Sequence, residues 1–308
     1  MSEIKRISII GVGAVGSTYA SKLHDMNAHC LQVIADAARI EKYKVQSFVV
    51  NGKNYNFNYV KPEEIVEPAD LIIVAVKFHQ LQQAIKDIKN HVGPDTIIIS
   101  LMNGITSEKQ IGEIYGMDKL LYSMVLAIDA ERQNKSIKYS STAKIFFGEE
   151  SNITYSNKVS AVKELFDKAS IGYVIPENMM YALWGKFMFN VGINQTSAIF
   201  KATYKVFQEV KEAEDLLRAA MKEVLELSRK TGINLKEEDI DEFVNLVKRQ
   251  SPDSKTSMLQ DVEAKRKTEV EMLSGTICEL GEQYGVDTPV NKVLFSIIKT
   301  IEKTYKIN

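Results

Sequence analysis

The chain has 308 residues, more than one hydrophobic core usually organises and enough for two domains. Apolar residues make up 45% and charged residues 26%, which excludes disordered, collagen-like and membrane-embedded classes, and no stretch reaches the ~18 apolar residues of a membrane span. With 39 basic and 40 acidic side chains the formal charge is −1, so nothing pulls the whole molecule toward nucleic acid or an anionic membrane.

The first residues read as a strand and not as a signal peptide, because their short apolar run meets glycines at once. A β-branched run at 6–10 predicts a first strand, and 14–26 a helix. An apolar run at 30–35 and a short helix at 37–43 follow. Residues 47–50 and 55–60 suit the arms of a hairpin around Asn51-Gly52. The fully apolar run at 71–76 and the segment at 96–100 (TIIIS) read as buried parallel strands separated by a helix at 78–90. Segments 120–128, 137–140 and 144–147 are expected to extend that sheet at one edge. This βαβ rhythm predicts a Rossmann-type, doubly wound sheet. From about 176 the pattern becomes helical, with helices expected at 179–199, 210–231 (stopping at Gly232), 236–249, 268–284 and 289–305. The expected organisation is therefore a dinucleotide-binding domain over 1–175 and an all-α domain over 176–308.

Gly11-Val12-Gly13-Ala14-Val15-Gly16 is a G-x-G-x-x-G between a predicted strand and a predicted helix, the context that gives this motif meaning. The first glycine permits a tight turn, the second lets the backbone approach a pyrophosphate, and the third packs helix on strand. The helix start offers free N–H groups and a partial positive charge to the phosphates. Asp36 ends the second strand, where a carboxylate accepts hydrogen bonds from adenosine ribose hydroxyls and favours NADH. A 2′-phosphate about 4 Å away would be repelled by about 1 kcal/mol per charge pair even in bulk water. Arg39 and Lys42 are near enough to offset that, and capping of the helix at Ala37 is the competing role for Asp36.

A hydride reductase must protonate the developing alkoxide, and all four histidines (His24, His29, His79, His91) fall in the first half. The helical half has none, so its acid must be another residue type. Lys186, Asn190 and Asn194 are spaced by four and share one helix face, about 6 Å apart along the axis. One ammonium and two carboxamides on an otherwise apolar helix are costly to bury idly; the competing account is a solvated stripe. Ser257 is expected in a polar loop, and Glu269 in the first turn of the helix after it. Lys77 and Asn103-Gly104 follow the two buried strands, at the carboxyl edge where open α/β sheets bind ligands. Cys30 and Cys278 are far apart and outside any CxxC pattern, so neither a disulfide framework nor a metal site is expected, and the chain reads as cytoplasmic.

Together GVGAVG, AVKFHQ, LMNG, LWGKFMFNVGINQTSA and SMLQDVEAKRKTE resemble the ketopantoate reductase (2-dehydropantoate 2-reductase) family over nearly the whole chain. The resemblance implies a Rossmann domain plus a helical domain like the C-terminal one of 6-phosphogluconate dehydrogenase, with the site in the cleft. It implies reduction of ketopantoate to (R)-pantoate on the way to pantothenate and coenzyme A, with NADPH as the family's usual cofactor and no metal. By the same resemblance Lys186 would be the proton donor, Asn190, Asn194 and Ser257 would hold the substrate, and Asn103 would touch cofactor and substrate. Lys77 would sit by the nicotinamide ribose, and Glu269 would bind cofactor and align Lys186. Two departures stand out: Asp36 occupies the place of an arginine that binds the 2′-phosphate, and Lys201 to Tyr204 replace a further substrate-contacting Asn.

An NAD-dependent D-2-hydroxyacid dehydrogenase acting on branched or aromatic 2-oxo acids would keep Lys186 and Glu269 on the same fold. The 3-hydroxyacid dehydrogenases related to 6-phosphogluconate dehydrogenase fit the Ser257 to Glu269 segment less well. A non-enzymatic dinucleotide sensor would keep the glycines but need not keep Lys186, Asn190 and Glu269 together. The expected partner is a small 2-oxo acid, with no nucleic acid or membrane; apolar Leu216, Leu217, Val224 and Leu225 leave both a homodimer face and plain core open.

Overall fold

A strand whose side chains are all buried must be covered on both faces. Ile7–Ile10 (β1) is such a strand, paired in parallel with Leu31–Ile34 (β2) on one side. The computed structural model describes residues 3–45, 47–126, 131–133, 136–139, 143–305 and 307. It divides into two units, Met1–Met180 and Tyr181–Asn308, a little beyond the expected boundary at 176.

In the first unit the further strands are β3 (Phe48–Val50), β4 (Lys53–Tyr55), β5 (Asn58–Val60), β6 (Leu71–Val74), β7 (Ile97–Ser100), β8 (Leu120–Leu126), β9 (Glu131–Gln133), β10 (Ser136–Lys138), β11 (Lys144–Gly148) and β12 (Tyr173–Val174). The helices are α1 (Ala14–Met26), α2 (Ala37–Val45), α3 (Leu81–Asp87), α4 (Ser107–Tyr115) and α5 (Asn157–Lys168). The main sheet runs β12-β11-β8-β7-β6-β1-β2-β5, parallel from β5 through β8, with β11 antiparallel to β8. Strand order reverses between β1 and β6, which is the switch point of a doubly wound sheet. Ile7 and Ile9 share a core with Tyr19 and Leu23 of α1 and Phe166 of α5. Ile10 and Val74 point the other way, into a core with Leu81 and Ile85 of α3 and Ile111 of α4. Helices therefore cover both faces, as the fold class requires.

Several expected elements are rearranged. Asn51 and Gly52 both have positive φ (46° and 83°), as a tight hairpin turn demands, but the returning arm is only β4. Residues 58–60 leave the hairpin and close the free edge of β2. The segment around Ile137 does not extend the main sheet; β10 pairs with β3 in a second sheet, β4-β3-β10-β9, whose Phe48, Val50 and Ile137 pack in the core that holds α1. Ile128 and Ser140, at the ends of two expected strands, lie outside the described residues. The helix expected at 78–90 is a short α3 between two 3-10 turns.

The second unit contains α6 (Met179–Phe200, from Tyr181 on), α7 (Tyr204–Glu209), α8 (Lys211–Lys230), α9 (Glu237–Arg249), α10 (Ser257–Glu263), α11 (Thr276–Tyr284) and α12 (Pro289–Thr304). Helix α6 is buried nearly all round, and at Gly192 a Cβ would stand 2.8 Å from Met221 of α8, so the glycine sets how closely those helices approach. Helix α8 stops where Gly232 takes φ +79°, the expected C-terminal device. Its Leu217, Val224 and Leu225 are at most 1% exposed, so they are core of this unit and not an interface. The helix expected at 268–284 is interrupted: residues Glu271–Gly275 form a π-helical turn before α11. No helix among the described residues is long and apolar enough to cross a membrane.

Candidate functional site

The glycine loop occupies the turn from β1 into α1, and its three glycines are required for different reasons. Gly11 has φ +96°, and a Cβ there would lie 2.5 Å from the Ala75 carbonyl oxygen beyond β6. A Cβ on Gly16 would lie 1.9 Å from the Gly11 carbonyl oxygen. Gly13 differs: a Cβ would meet nothing within 4 Å, so its missing side chain leaves open space and not a packing contact. Gly13 also caps α1 without any side-chain hydrogen bond to the helix start. Val12 is buried, while Ala14 and Val15 are half-buried on the first turn. An uncapped helix start beside an open backbone surface fits the pyrophosphate of a dinucleotide.

Asp36 follows β2 on the same sheet edge, and its role as a helix cap is realised. Its Oδ1 accepts the Arg39 backbone N–H at 2.8 Å, and its Oδ2 lies 3.4 Å from the Arg39 guanidinium. The carboxylate is exposed, so capping leaves it open to a ribose. Lys77 follows β6, and its backbone N–H donates to Gln80 Oε1 at 3.3 Å in a 3-10 turn. Asn103 follows β7 in a turn where Gly104 has φ +90°. Because β2, β1, β6 and β7 are neighbours and parallel, Asp36, the glycine loop, Lys77 and Asn103 leave the same edge of the sheet.

In the second unit Lys186, Asn190 and Asn194 lie on α6 at the expected spacing. Lys186 is half-buried, and Asn190 and Asn194 are each 8% exposed, so the solvated stripe does not describe the two asparagines. Among the described residues no hydrogen bond is made by either carboxamide. Two carboxamides largely removed from water without protein partners are costly unless something else pairs with them.

Ser257 is not in a loop. It is the first residue of α10, exposed, directly after the buried cap Thr256, whose hydroxyl accepts the Leu259 N–H at 3.2 Å. The Thr256 hydroxyl also bonds Ser197 Oγ at 2.5 Å, which ties the start of α10 to α6 one turn beyond Asn194. Thr256 escaped the sequence reading, although Thr before an apolar pair is a recognisable helix start. Glu269 is buried, 7% exposed, and sits just ahead of the π-helical turn instead of inside a helix's first turn. Its carbonyl accepts the N–H groups of Met272 (3.0 Å) and Leu273 (3.2 Å). Its neighbours are fixed: Thr268 donates its N–H (2.8 Å) and hydroxyl (2.6 Å) to Glu302, and Lys299 donates to Glu271 at 2.6 Å. Among the described residues no group of His, Cys, Asp or Glu is arranged to hold a metal.

Residues 7–152 match the family described as ketopantoate reductase PanE/ApbA, and residues 178–302 match its C-terminal domain. The 2-dehydropantoate 2-reductase of Aquifex aeolicus is 26% identical over 304 residues, 97% of either chain. Among solved structures, D-mandelate dehydrogenase in ternary complex with NADH and anilino(oxo)acetate aligns with a TM-score of 0.86 at 23% identity, over 97% of this chain and 99% of that one. Dimeric ketopantoate reductase from Staphylococcus aureus aligns at 0.82 and 21%, with the same coverage.

Proposed function

The chain belongs to the ketopantoate reductase family and is an NAD(P)-dependent oxidoreductase acting on a hydroxyl or keto group; we propose that it reduces 2-dehydropantoate to (R)-pantoate. The observation that carries the reading is the α6 face: Lys186 with two buried carboxamides, Asn190 and Asn194, that have no hydrogen-bond partner among the described residues. A 2-oxo acid supplies what such a face lacks. Its carboxylate and keto oxygens accept N–H bonds from the carboxamides, and the Lys186 ammonium gives a proton to the oxygen of the reduced carbonyl. Ser257 would bond the substrate's hydroxyl. Glu269 would hold the Lys186 ammonium in line, and its burial makes any charge contact there strong.

The bound nicotinamide supplies the hydride. Gly11, Gly13, Gly16 and the first turn of α1, through Ala14 and Val15, would hold its pyrophosphate, with Val12 supporting the turn. Asp36 would take the adenosine ribose hydroxyls, Lys77 the nicotinamide ribose, and Asn103 both cofactor and substrate. Asp36 favours NADH; the family habit favours NADPH, and Arg39 and Lys42 are the nearby cations for a 2′-phosphate. A homodimer and a cytoplasmic location belong to the same reading, the dimer on the strength of the Staphylococcus aureus relative.

A second reading has its own support. D-mandelate dehydrogenase aligns over nearly the whole chain and was solved with NADH. Together with Asp36 this favours an NAD-dependent D-2-hydroxyacid dehydrogenase for branched or aromatic 2-oxo acids. Steady-state reduction of 2-dehydropantoate beside branched and aromatic 2-oxo acids, each with NADH and NADPH, separates the two. A clear preference for 2-dehydropantoate supports the first; a better aromatic or branched acid overturns it in favour of the second.

A further inference from the structure

Behind the α6 face lies a polar array that the proposed chemistry does not use. Gln195, next to Asn194, is fully buried, and its Nε2 donates to the Val191 carbonyl (2.7 Å) and to Asn291 Oδ1 of α12 (3.2 Å). The Ser274 hydroxyl, in the π-helical turn, donates to Gln195 Oε1 and stands 3.0 Å from Asn291 Oδ1. Asn291 Nδ2 donates to Glu223 Oε2 (2.7 Å) and to the Ala220 carbonyl (3.2 Å), both on α8. The Glu223 carboxylate accepts the N–H groups of Val290 (2.7 Å) and Asn291 (2.9 Å) at the start of α12. Gln195, Ser274 and Asn291 are 0% exposed and Glu223 is 8% exposed.

An apolar core of the same shape would be as stable as a satisfied polar one, so what such an array adds is a fixed register between its elements. The elements joined here are α6, which carries Lys186, Asn190 and Asn194, and the π-helical turn that Glu269 precedes. A π-turn shifts the register of the helix around it and is common at functional sites. Helix α12 holds both ends of that turn: Asn291 meets Ser274 at one end, and Lys299 and Glu302 fix Glu271 and Thr268, on either side of Glu269, at the other.

We propose that Gln195, Ser274 and Asn291 are positioning residues that set the register of Lys186 against Glu269. The proposal rests on the reading of Lys186 as proton donor. Ser274→Ala removes one hydroxyl, and Gln195→Met removes the carboxamide while keeping the length of the side chain. Each is made in the native chain and in a Lys186→Ala background. kcat and KM are measured with 2-dehydropantoate, or with the fastest 2-oxo acid of the panel, and NADH affinity by fluorescence titration. That titration also counts folded sites, so a variant of low yield still gives a kcat. Misplacement of a reacting group predicts a fall in kcat of about 10- to 100-fold in the native background. NADH affinity should change far less than kcat, since the glycine loop is untouched, and little further loss should appear when Lys186 is already absent. Unaltered kcat in both variants overturns the proposal, as does an equal fold-loss in both backgrounds, which marks a general effect on the fold. If Lys186→Ala alone keeps full kcat, the parent reading has failed, and the same cycle run against Glu269→Gln judges the array by the same two outcomes.

Discussion

Both carboxylate oxygens of Asp36 are engaged by one residue, Arg39: Oδ1 by its backbone N–H at 2.8 Å and Oδ2 by its guanidinium at 3.4 Å. The first contact caps α2. The second is an exposed ion pair between half-exposed side chains, a kind that contributes roughly 0–1 kcal/mol and is readily exchanged for another partner. Oδ2 can therefore exchange the Arg39 guanidinium for another donor while Oδ1 keeps the cap, with little loss to the fold.

Asp36→Asn separates capping from charge, because Asn caps a helix start as well as Asp does. Thermal stability should hold while the ratio of kcat/KM for NADPH to that for NADH rises on the order of tenfold, the effect of removing a repulsion of roughly 1.4 kcal/mol beside a 2′-phosphate. An unchanged ratio would reduce Asp36 to its capping role.

Lys186→Ala should lower kcat by about 10² to 10⁴, the usual cost of a lost general acid, while NADH still binds, since the glycine loop is untouched. Stopped-flow or steady-state reduction of the preferred 2-oxo acid measures this. Retained turnover would remove Lys186 from the chemistry and send the search to another residue on α6.

What was legible in the sequence was whatever local rules dictate. Helix α1 begins at Ala14 and ends at Met26 as read, because the glycine turn and the loss of apolar period at Asn27 are local signals. Lys186, Asn190 and Asn194 fell on one helix because a spacing of four can do nothing else there. Partners distant in sequence were not legible. Residues 58–60 look like a hairpin arm, yet the free edge of β2 captures them; β10 looks like an extension of the main sheet, yet β3 captures it. Ser257 read as a loop residue because α10 is only seven residues long and its start is secured by Ser197, about 60 residues away. Gln195, Ser274 and Asn291 were silent for the same reason: each is an ordinary polar residue until the fold makes them neighbours.

The three loop glycines should respond differently to a single methyl. Gly13→Ala has φ −75° and open space at its Cβ, so the chain should fold with stability equal or higher by about 0.4–1 kcal/mol, yet bind NADH and NADPH more weakly. Gly16→Ala drives a Cβ to 1.9 Å from the Gly11 carbonyl oxygen, so it should unfold the loop and lower the melting temperature. Thermal melts paired with dinucleotide titration read both. A Gly13→Ala protein that binds dinucleotide like the native one would show that the backbone there is not the approach surface.

His91 offers a pH prediction independent of the site. Its ring is fully buried at the end of the 3-10 turn before β7, and neither ring nitrogen meets hydrogen-bond geometry with a partner among the described residues. Burial pushes its pKa below the ordinary 6.5, against weaker pulls from the Lys61 backbone and the Glu64 charge. The folded chain therefore holds this imidazole neutral where the unfolded chain begins to protonate it. As pH falls through 6.5 the unfolded state takes up the proton first, and stability is lost from there down to the lowered folded value. The limiting slope is about 1.4 kcal/mol per pH unit. His91→Leu, apolar and of similar volume, has no proton to take up and leaves no orphaned nitrogen. Denaturant midpoints followed from about pH 7 to pH 5 should fall more steeply for the native chain than for the variant. Parallel curves would mean that the His91 nitrogens find hydrogen bonds in solution that accommodate the charged ring.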